Sequence, residues 1–122
     1  MTGRLSRTYL WGGHIRAGMT VIAFLSVAPV VEGSMSDEVA KAVAALEDYD
    51  VEYETTPMGT IIEADDTGQL FAAAHAAHVA VDADRGSTVL KIDHKRRVDQ
   101  SAAEKVKAVE EHLGREATSQ LE

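Results

Sequence analysis

The chain has 122 residues, no cysteine, and 12 Lys or Arg against 20 Asp or Glu, which gives a formal charge of −8. This composition excludes disulfides, thiolate metal sites and cysteine nucleophiles, and it disfavours nucleic acid partners because an acidic surface repels phosphates. We expect a single main domain and a cytoplasmic location. No membrane partner is expected, since the longest apolar run, residues 21–31, is far below the ~20 residues of a membrane helix.

The first residues differ in pattern from the rest of the chain. Residues 1–18 show neither helical nor strand periodicity, so we expect an appended segment. The folded domain is predicted to span residues 19–114, with residues 115–122 as a frayed tail. Three Arg and no acidic residue lie in the first 18 residues, so the predicted domain is more acidic than the whole chain. Such a domain attracts cationic ligands, although acidity also serves solubility.

A nearly continuous apolar run from Thr20 to Val27 predicts a central strand that is covered on both faces. Pro29 is expected to end this strand. Ser34 and Asp37 then predict a capping box at the start of the first helix. The apolar face of that helix is predicted to contain Met35, Val39, Val43 and Leu46.

Alternation over residues 51–56 predicts a half-exposed strand, and Pro57 and Gly59 predict the turn of a hairpin that returns along residues 60–64. Residues 65–67 supply caps for a second helix, and residues 88–93 form a fourth strand that a basic loop follows. Ser101 with Glu104 predicts a capping box for a third helix, which Gly114 ends. The inward positions of the last two helices are predicted to be Leu70, Ala74, Ala77 and Val81, and Ala102, Val106, Val109 and Leu113.

The order of these elements predicts an α+β fold, a ferredoxin-like βαββαβ sandwich with an additional C-terminal helix. Because side chains alternate across a strand, Glu63, Lys91 and Asp93 are expected on the sheet face opposite the helices, beside apolar residues of the first strand. A second copy of the chain is expected to cover this mixed face and to enclose a ligand there. The alternative is that Lys91 forms an interface ion pair with Glu63 or Asp93 and that nothing binds.

Three motifs resemble the thiamine-binding protein family over residues 19–113, namely Met58-Gly59-Thr60, Ala77-His78, and Lys91-Ile92-Asp93 with its following basic residues. The resemblance implies a homodimer or a homotetramer that binds thiamine or its hydroxymethylpyrimidine part, with no catalysis and no catalytic cofactor. By position, the resemblance implies ligand-binding roles for Met58, Gly59, Thr60, His78, Lys91, Asp93 and Arg96.

The chemistry of thiamine fits several of these side chains. One carboxylate, from Glu63 or Asp93, can pair with the amino group and protonated ring nitrogen of an aminopyrimidine. The thiazolium cation suits the sulfur of Met58 or the aromatic face of Tyr53. Gly59 lets the chain pass close to a ring, although a hairpin turn favours glycine in any case.

The sequence supports metal binding and catalysis less well, and a protein that binds no ligand would leave no motif to recognise. His75 and His78 lie three residues apart on one helical face, with Asp82 beyond them, but no third metal ligand is fixed by the sequence. An enzyme is disfavoured, because aromatic residues are few and no nucleophile is paired with a base. The main alternative is a structural or regulatory homo-oligomer that binds no small molecule.

Overall fold

The computed structural model describes residues 20–97 and 99–119, so the predicted appended segment, residues 1–18, lies outside it. The described residues confirm the predicted α+β order with an additional C-terminal helix. In chain order the elements are β1 Val21–Pro29, α1 Ser36–Ala45, a 3₁₀ turn Leu46–Asp48, β2 Glu52–Thr55, β3 Thr60–Ala64, α2 Thr67–Ala80, β4 Gly86–His94 and α3 Ala102–Leu113.

The four strands form one sheet in the order β2-β3-β1-β4, in which every neighbouring pair is antiparallel. The apolar strand β1 is therefore central, as its sequence predicts, with β3 on one side and β4 on the other. Ile22 pairs with Glu63 across one ladder and with Asp93 across the other, so these three side chains lie in one row. The edges of the sheet are β2 and β4.

The main hydrophobic core lies between the sheet and the two helices α1 and α2, which also pack on each other. Leu46, Ile62 and Leu70 are fully buried there. Burying a side chain of this size contributes about 1.5–3 kcal/mol each to stability. The predicted inward stripe of α2 is mostly confirmed, since Leu70, Ala74 and Ala77 are buried, whereas Val81 lies just beyond the helix and is half-buried.

The start of α1 differs from the predicted capping box. The helix begins at Ser36, and the N-cap residue is Met35, whose side chain accepts no capping hydrogen bond. Ser34 Oγ instead accepts from the backbone N–H of Ser36 at 3.1 Å. The prediction of a Ser34–Asp37 box was wrong because the chain enters the helix one residue later than the motif requires.

The other helix termini follow the sequence. Asp66 caps α2 by accepting from the Gly68 N–H at 2.9 Å. Ser101 and Glu104 form the predicted reciprocal capping box of α3, and Gly114 ends that helix in the left-handed conformation at φ 80°. These caps satisfy backbone groups that the helix itself leaves without partners, so they fix where α2 and α3 begin.

The third helix begins on the sheet face opposite α1 and α2. Glu63 lies between Ile62 and Ala64, which face the main core, so its side chain points the other way. The first turn of α3 covers that carboxylate, while the apolar residues Val106, Val109 and Leu113 along the helix stay substantially exposed. This part of the opposite face is therefore covered by the chain itself.

Candidate functional site

The β2–β3 turn is held by Thr56 and carries the predicted motif Met58-Gly59-Thr60. The Thr56 N–H donates to the Gly59 carbonyl oxygen at 2.7 Å, and the Thr56 hydroxyl donates to the same oxygen at 2.8 Å. The Met58 N–H donates to Thr56 Oγ1 at 3.2 Å. The turn is thus fixed by one threonine, which leaves the Met58 side chain exposed at its tip.

Gly59 lies against an aromatic ring of the chain itself. A Cβ at this position would stand 2.5 Å from Phe24 Cζ and 2.9 Å from the Leu25 carbonyl oxygen. No side chain fits at such distances, so the close approach of the turn to β1 requires glycine. The sequence predicts that Gly59 lets the chain pass close to the ring of a ligand, and this stays a prediction. The ring that Gly59 approaches in the structure is the side chain of Phe24.

A cavity of about 160 Å³ lies beside this turn, between the end of β1 and α1. Its walls are mainly apolar, and two of its lining residues, Thr55 and Thr60, have their Oγ1 atoms 3.2 Å apart. No lining residue is charged, and Met35 and Met58 stand among the lining residues. The cavity is lined by Leu25, Ser26, Val27, Ala28, Met35, Val39, Ala42, Val43, Leu46 and residues 55–60.

An open groove continues from the cavity along α1 toward the β2 edge. The two hollows share Met35, Val39, Val43 and Thr55, and the groove has a volume of about 800 Å³. Tyr53 and Glu47 line its outer part, where the Tyr53 hydroxyl donates to Glu47 Oε2 at 2.6 Å. The cavity and the groove together form a hollow with a less open, neutral end and a more open end that carries an aromatic ring and one carboxylate.

Glu63 is placed apart from this hollow and is fully buried. Its Oε2 accepts from the N–H of Ala102, the first residue of α3, at 2.6 Å. A carboxylate at a helix N-terminus is favourable because it meets both an N–H donor and the positive end of the helix dipole. This carboxylate therefore contacts the start of α3, and its role in ligand binding stays a prediction.

Asp93 lies in the same row of the sheet and also contacts α3. The Lys105 ammonium donates to Asp93 Oδ2, and this hydrogen bond, with the positive charges of Lys105, Lys91 and Lys95, lowers the pKa of Asp93 below its ordinary value. The ion pair of Asp93 is thus formed with Lys105 of the third helix, not with Lys91. Lys91 and Arg96 are exposed on β4 and in the turn after it.

His78 occupies a third location, at the end of α2. Its Nδ1 lies 2.6 Å from Thr88 Oγ1 on β4, and its side chain is exposed beside a separate cavity of about 310 Å³ that Asp84 also lines. Among residues 20–97 and 99–119, no three His, Asp or Glu side chains are grouped as metal ligands. In the same ranges, no helix has the length and apolarity needed to cross a membrane.

The structure places the predicted ligand residues at separate positions. Met58, Gly59 and Thr60 are together at the hairpin, and His78 lies at the end of α2. Glu63 and Asp93, on either side of β1, each contact the first turn of α3, while Lys91 and Arg96 are exposed on β4 and in the turn after it. Strand periodicity in the sequence already predicts that Thr60 and Glu63 are separated. The two residues are an odd number of positions apart, so their side chains face opposite sides of the sheet. Sequence reasoning missed Val39 and Val43 as cavity walls, since helical periodicity marks them only as apolar.

Comparison with protein-family models decides the family of the chain. Residues 23–110 match the model described as thiamine-binding protein, from early in β1 to late in α3. The chain belongs to the thiamine-binding protein family. The resemblance seen in the sequence is thereby confirmed, and the family description indicates a small-molecule-binding role.

Relatives of this family member include proteins from archaea and bacteria. A UPF0045 protein of Methanothermobacter thermautotrophicus is 42% identical over 98 residues, which cover 76% of this chain and 99% of that protein. The crystal structure of the hypothetical protein MJ1052 of Methanocaldococcus jannaschii superposes with a TM-score of 0.70 at 36% identity, over 75% of this chain and 97% of that one. A candidate thiamine biosynthesis/salvage protein of Thermotoga maritima shares the fold, with a TM-score of 0.58 and 21% identity, over 74% of this chain and 98% of that one.

Proposed function

We propose that the protein binds thiamine, or its hydroxymethylpyrimidine part, without catalysing a reaction. Membership of the thiamine-binding protein family supports the ligand class. The observation that carries the location is the neutral cavity at the Met58-Gly59-Thr60 turn, which opens into a groove with an aromatic ring and a carboxylate. We therefore place the ligand between α1 and the β2–β3 hairpin.

The cavity suits one heterocycle. Its volume of about 160 Å³ is below the ~300–1,000 Å³ of sites that enclose a drug-sized ligand, so one ring enters and the remainder stays in the groove. Val39 and Val43 offer apolar walls to the faces of a pyrimidine. The Thr60 hydroxyl, which both donates and accepts, can meet the amino group or a ring nitrogen. The thioether of Met58 can contact the ring edge.

The groove suits the other end of thiamine. A thiazolium ring that follows the pyrimidine out of the cavity passes the shared wall at Val43 and reaches Tyr53 and Glu47. An aromatic face attracts a permanent cation, and a neighbouring carboxylate adds a favourable charge interaction. The neutral end and the acidic end of the hollow thus match the neutral and cationic rings of the vitamin.

The sheet face beneath α3 has a different role in this proposal. Glu63 and Asp93 already contact Ala102 and Lys105, so they hold α3 rather than a ligand. The exposed apolar residues nearby support the homodimer or homotetramer that family resemblance implies, because a second copy would remove them from water. Sedimentation of the full chain tests this, and a monomer at all concentrations would contradict it. Val89 on β4 and Val106, Val109 and Leu113 on α3 are among these exposed apolar residues.

Calorimetry with thiamine and hydroxymethylpyrimidine tests ligand binding and its location. The variant Val43→Phe places a larger side chain where the cavity and the groove meet. We expect the affinity for both ligands to fall about tenfold or more, because the ring no longer fits its pocket. The matched variant Val79→Phe enlarges a side chain beside the separate cavity near His78 and should bind as the unmodified protein does.

Three results would count against the proposal. If neither ligand gives a binding heat, and neither binds in a second assay, the protein is instead a structural or regulatory oligomer. If Val79→Phe blocks binding and Val43→Phe does not, the ligand lies beside His78. Mass spectrometry of the ligand after incubation should show it unchanged, and a product would contradict the absence of catalysis.

A further inference from the structure

We infer that the ligand site selects unphosphorylated ligands: it takes the thiamine cation or neutral hydroxymethylpyrimidine and rejects their phosphate esters. This inference rests on the proposed function and specifies the chemical class of its ligand. The observations that carry it are the location of the site in the molecule and the charges around it.

Negative charge is concentrated in the part of the chain that builds the site. Residues 20–65 contain one Lys and ten Asp or Glu, a formal charge of −9, whereas residues 66–119 contain eight Lys or Arg and nine Asp or Glu, a formal charge of −1. Every described lining residue of the cavity and the groove comes from the first of these segments. The described part of the site is therefore built from the acidic segment of the chain, whereas residues 66–119 are nearly neutral.

Among residues 20–97 and 99–119, one charged side chain lines the hollow, and it is the carboxylate of Glu47. No Lys or Arg in these ranges lines either the cavity or the groove. Lys41, the one cation of residues 20–65, donates to Glu38 Oε2 at 2.9 Å and is thereby engaged on α1. Among the described side chains, a phosphate in the groove would meet a carboxylate and no opposing cation.

The N-terminus of α1 also borders the groove, at Ser34 and Ser36, and a helix N-terminus ordinarily favours anions. Here the first turn contains Asp37 and Glu38, which offset the positive end of the dipole. The Ser36 N–H already donates to Ser34 Oγ. This helix start is therefore a poor phosphate site.

The geometry of thiamine places the added charge at the acidic end. The hydroxyethyl group that carries phosphate is attached to the thiazolium ring, on the side away from the pyrimidine. With the pyrimidine in the cavity, a phosphate would stand in the groove near Glu47. Phosphorylation adds about −1.5 to −2 charges at neutral pH, which turns the cation into an anion. The same field that attracts thiamine then repels its esters.

Four basic residues that could bind phosphate lie elsewhere. Lys91, Lys95, Arg96 and Arg97 are on β4 and in the turn after it, and β4 is the sheet edge opposite β2. The groove runs toward β2, so these cations are separated from it by the width of the sheet. A protein with this selectivity handles the vitamin before the phosphorylation step that converts it to its esters.

Calorimetry on the full chain with thiamine, thiamine monophosphate and thiamine diphosphate tests the inference. In low salt without divalent cations, we expect the monophosphate to bind about tenfold more weakly than thiamine and the diphosphate more weakly still. The difference should shrink in about 1 M salt, where the screening length falls to about 3 Å.

A pair of charge reversals separates the local field from the net charge. Glu47→Lys places a cation in the groove and should bring the affinities for thiamine and its monophosphate to within about threefold of each other. Glu111→Lys makes the same change in net charge at an exposed position of α3. This variant should keep the difference in affinity between thiamine and its monophosphate unchanged.

The outcomes are distinct. Phosphate esters that bind as tightly as thiamine overturn the selectivity and leave the proposed function standing. If Glu47→Lys and Glu111→Lys change the ratio of the affinities for thiamine and its monophosphate equally, the charge in the groove does not determine the selectivity. If a folded protein, verified by circular dichroism, binds none of the ligands, the proposed function fails and the selectivity fails with it.

Discussion

The two ends of β3 meet very different surroundings. At one end, the Thr60 hydroxyl faces a neutral cavity between α1 and the hairpin. At the other end, three residues later, the Glu63 carboxylate faces the opposite side of the sheet and is buried under the first turn of α3. One strand thus contributes to an open hollow on one face and to an internal clamp on the other.

This contrast shows that a buried charge and a ligand site are different things. A carboxylate inside a protein is tolerated when donors of the same chain satisfy it, and the start of α3 supplies such a donor to Glu63. A ligand instead needs room that the chain has left unfilled, and the structure provides that room at Thr60.

The largest expected effect is at the hairpin. In Gly59→Ala the added methyl group would lie 2.5 Å from the Phe24 ring and 2.9 Å from a backbone oxygen, so the turn or β1 must shift. We expect the free energy of unfolding to fall by about 1–3 kcal/mol, as is typical of overpacking. Chemical denaturation measures it. Gly86→Ala is the matched control, because a Cβ there meets no atom within 4 Å; equal losses in both variants would contradict the close approach.

A smaller loss is expected at the α3 end. Glu63→Gln keeps the shape of the side chain but removes the charge that faces the Ala102 N–H and the helix dipole. We expect the free energy of unfolding to fall by about 1–2 kcal/mol and thiamine binding to be retained. Glu111→Gln, an exposed change on the same helix, should have little effect. If Glu63→Gln abolished binding in a folded protein, the ligand would lie beneath α3 after all.

The smallest effect concerns the pH dependence of the contact between Asp93 and Lys105. The pKa of Asp93 is lowered in the folded protein, chiefly by the hydrogen bond from Lys105. The pair therefore stabilises the fold above the ordinary Asp pKa of about 3.9, and this contribution is lost as the pH falls through the lowered value.

An NMR titration of the Asp93 carboxyl measures this shift directly. In the unmodified protein the carboxyl should titrate below its ordinary range, and Lys105→Met should move its pKa upward. An Asp93 pKa that does not respond to Lys105→Met would show that the side chains are not paired in solution.

Most of the fold was predictable because it follows from local patterns. The apolar run at β1, the turn residues Pro57 and Gly59, and the capping box of Ser101 and Glu104 each act over a few residues. The one wrong cap, at Ser34, shows the limit of such motifs. Its side chain had a nearer backbone donor at Ser36, and the entry of the chain into α1 decided between the two.

Less of the candidate site was predictable. Family resemblance marked Met58, Gly59 and Thr60, and the cavity does lie beside them. The sequence predicts Val39 and Val43 only as core positions. Helical periodicity identifies apolar residues that face inward, but it does not show whether the space they face is filled. The partners of Glu63 and Asp93 come from α3, at positions 102 and 105, and no local pattern specifies which face of the sheet that helix meets.

The sequence by itself determined the strands, the helices, the family and the acidic character of residues 20–65, since these depend on residue type and on short-range spacing. Only the tertiary structure decided that Glu63 and Asp93 anchor α3 and that room for a ring remains between α1 and the hairpin. The physical reason is that a contact over 39 residues, such as that between Glu63 and Ala102, and an unfilled volume both arise from packing distant segments together.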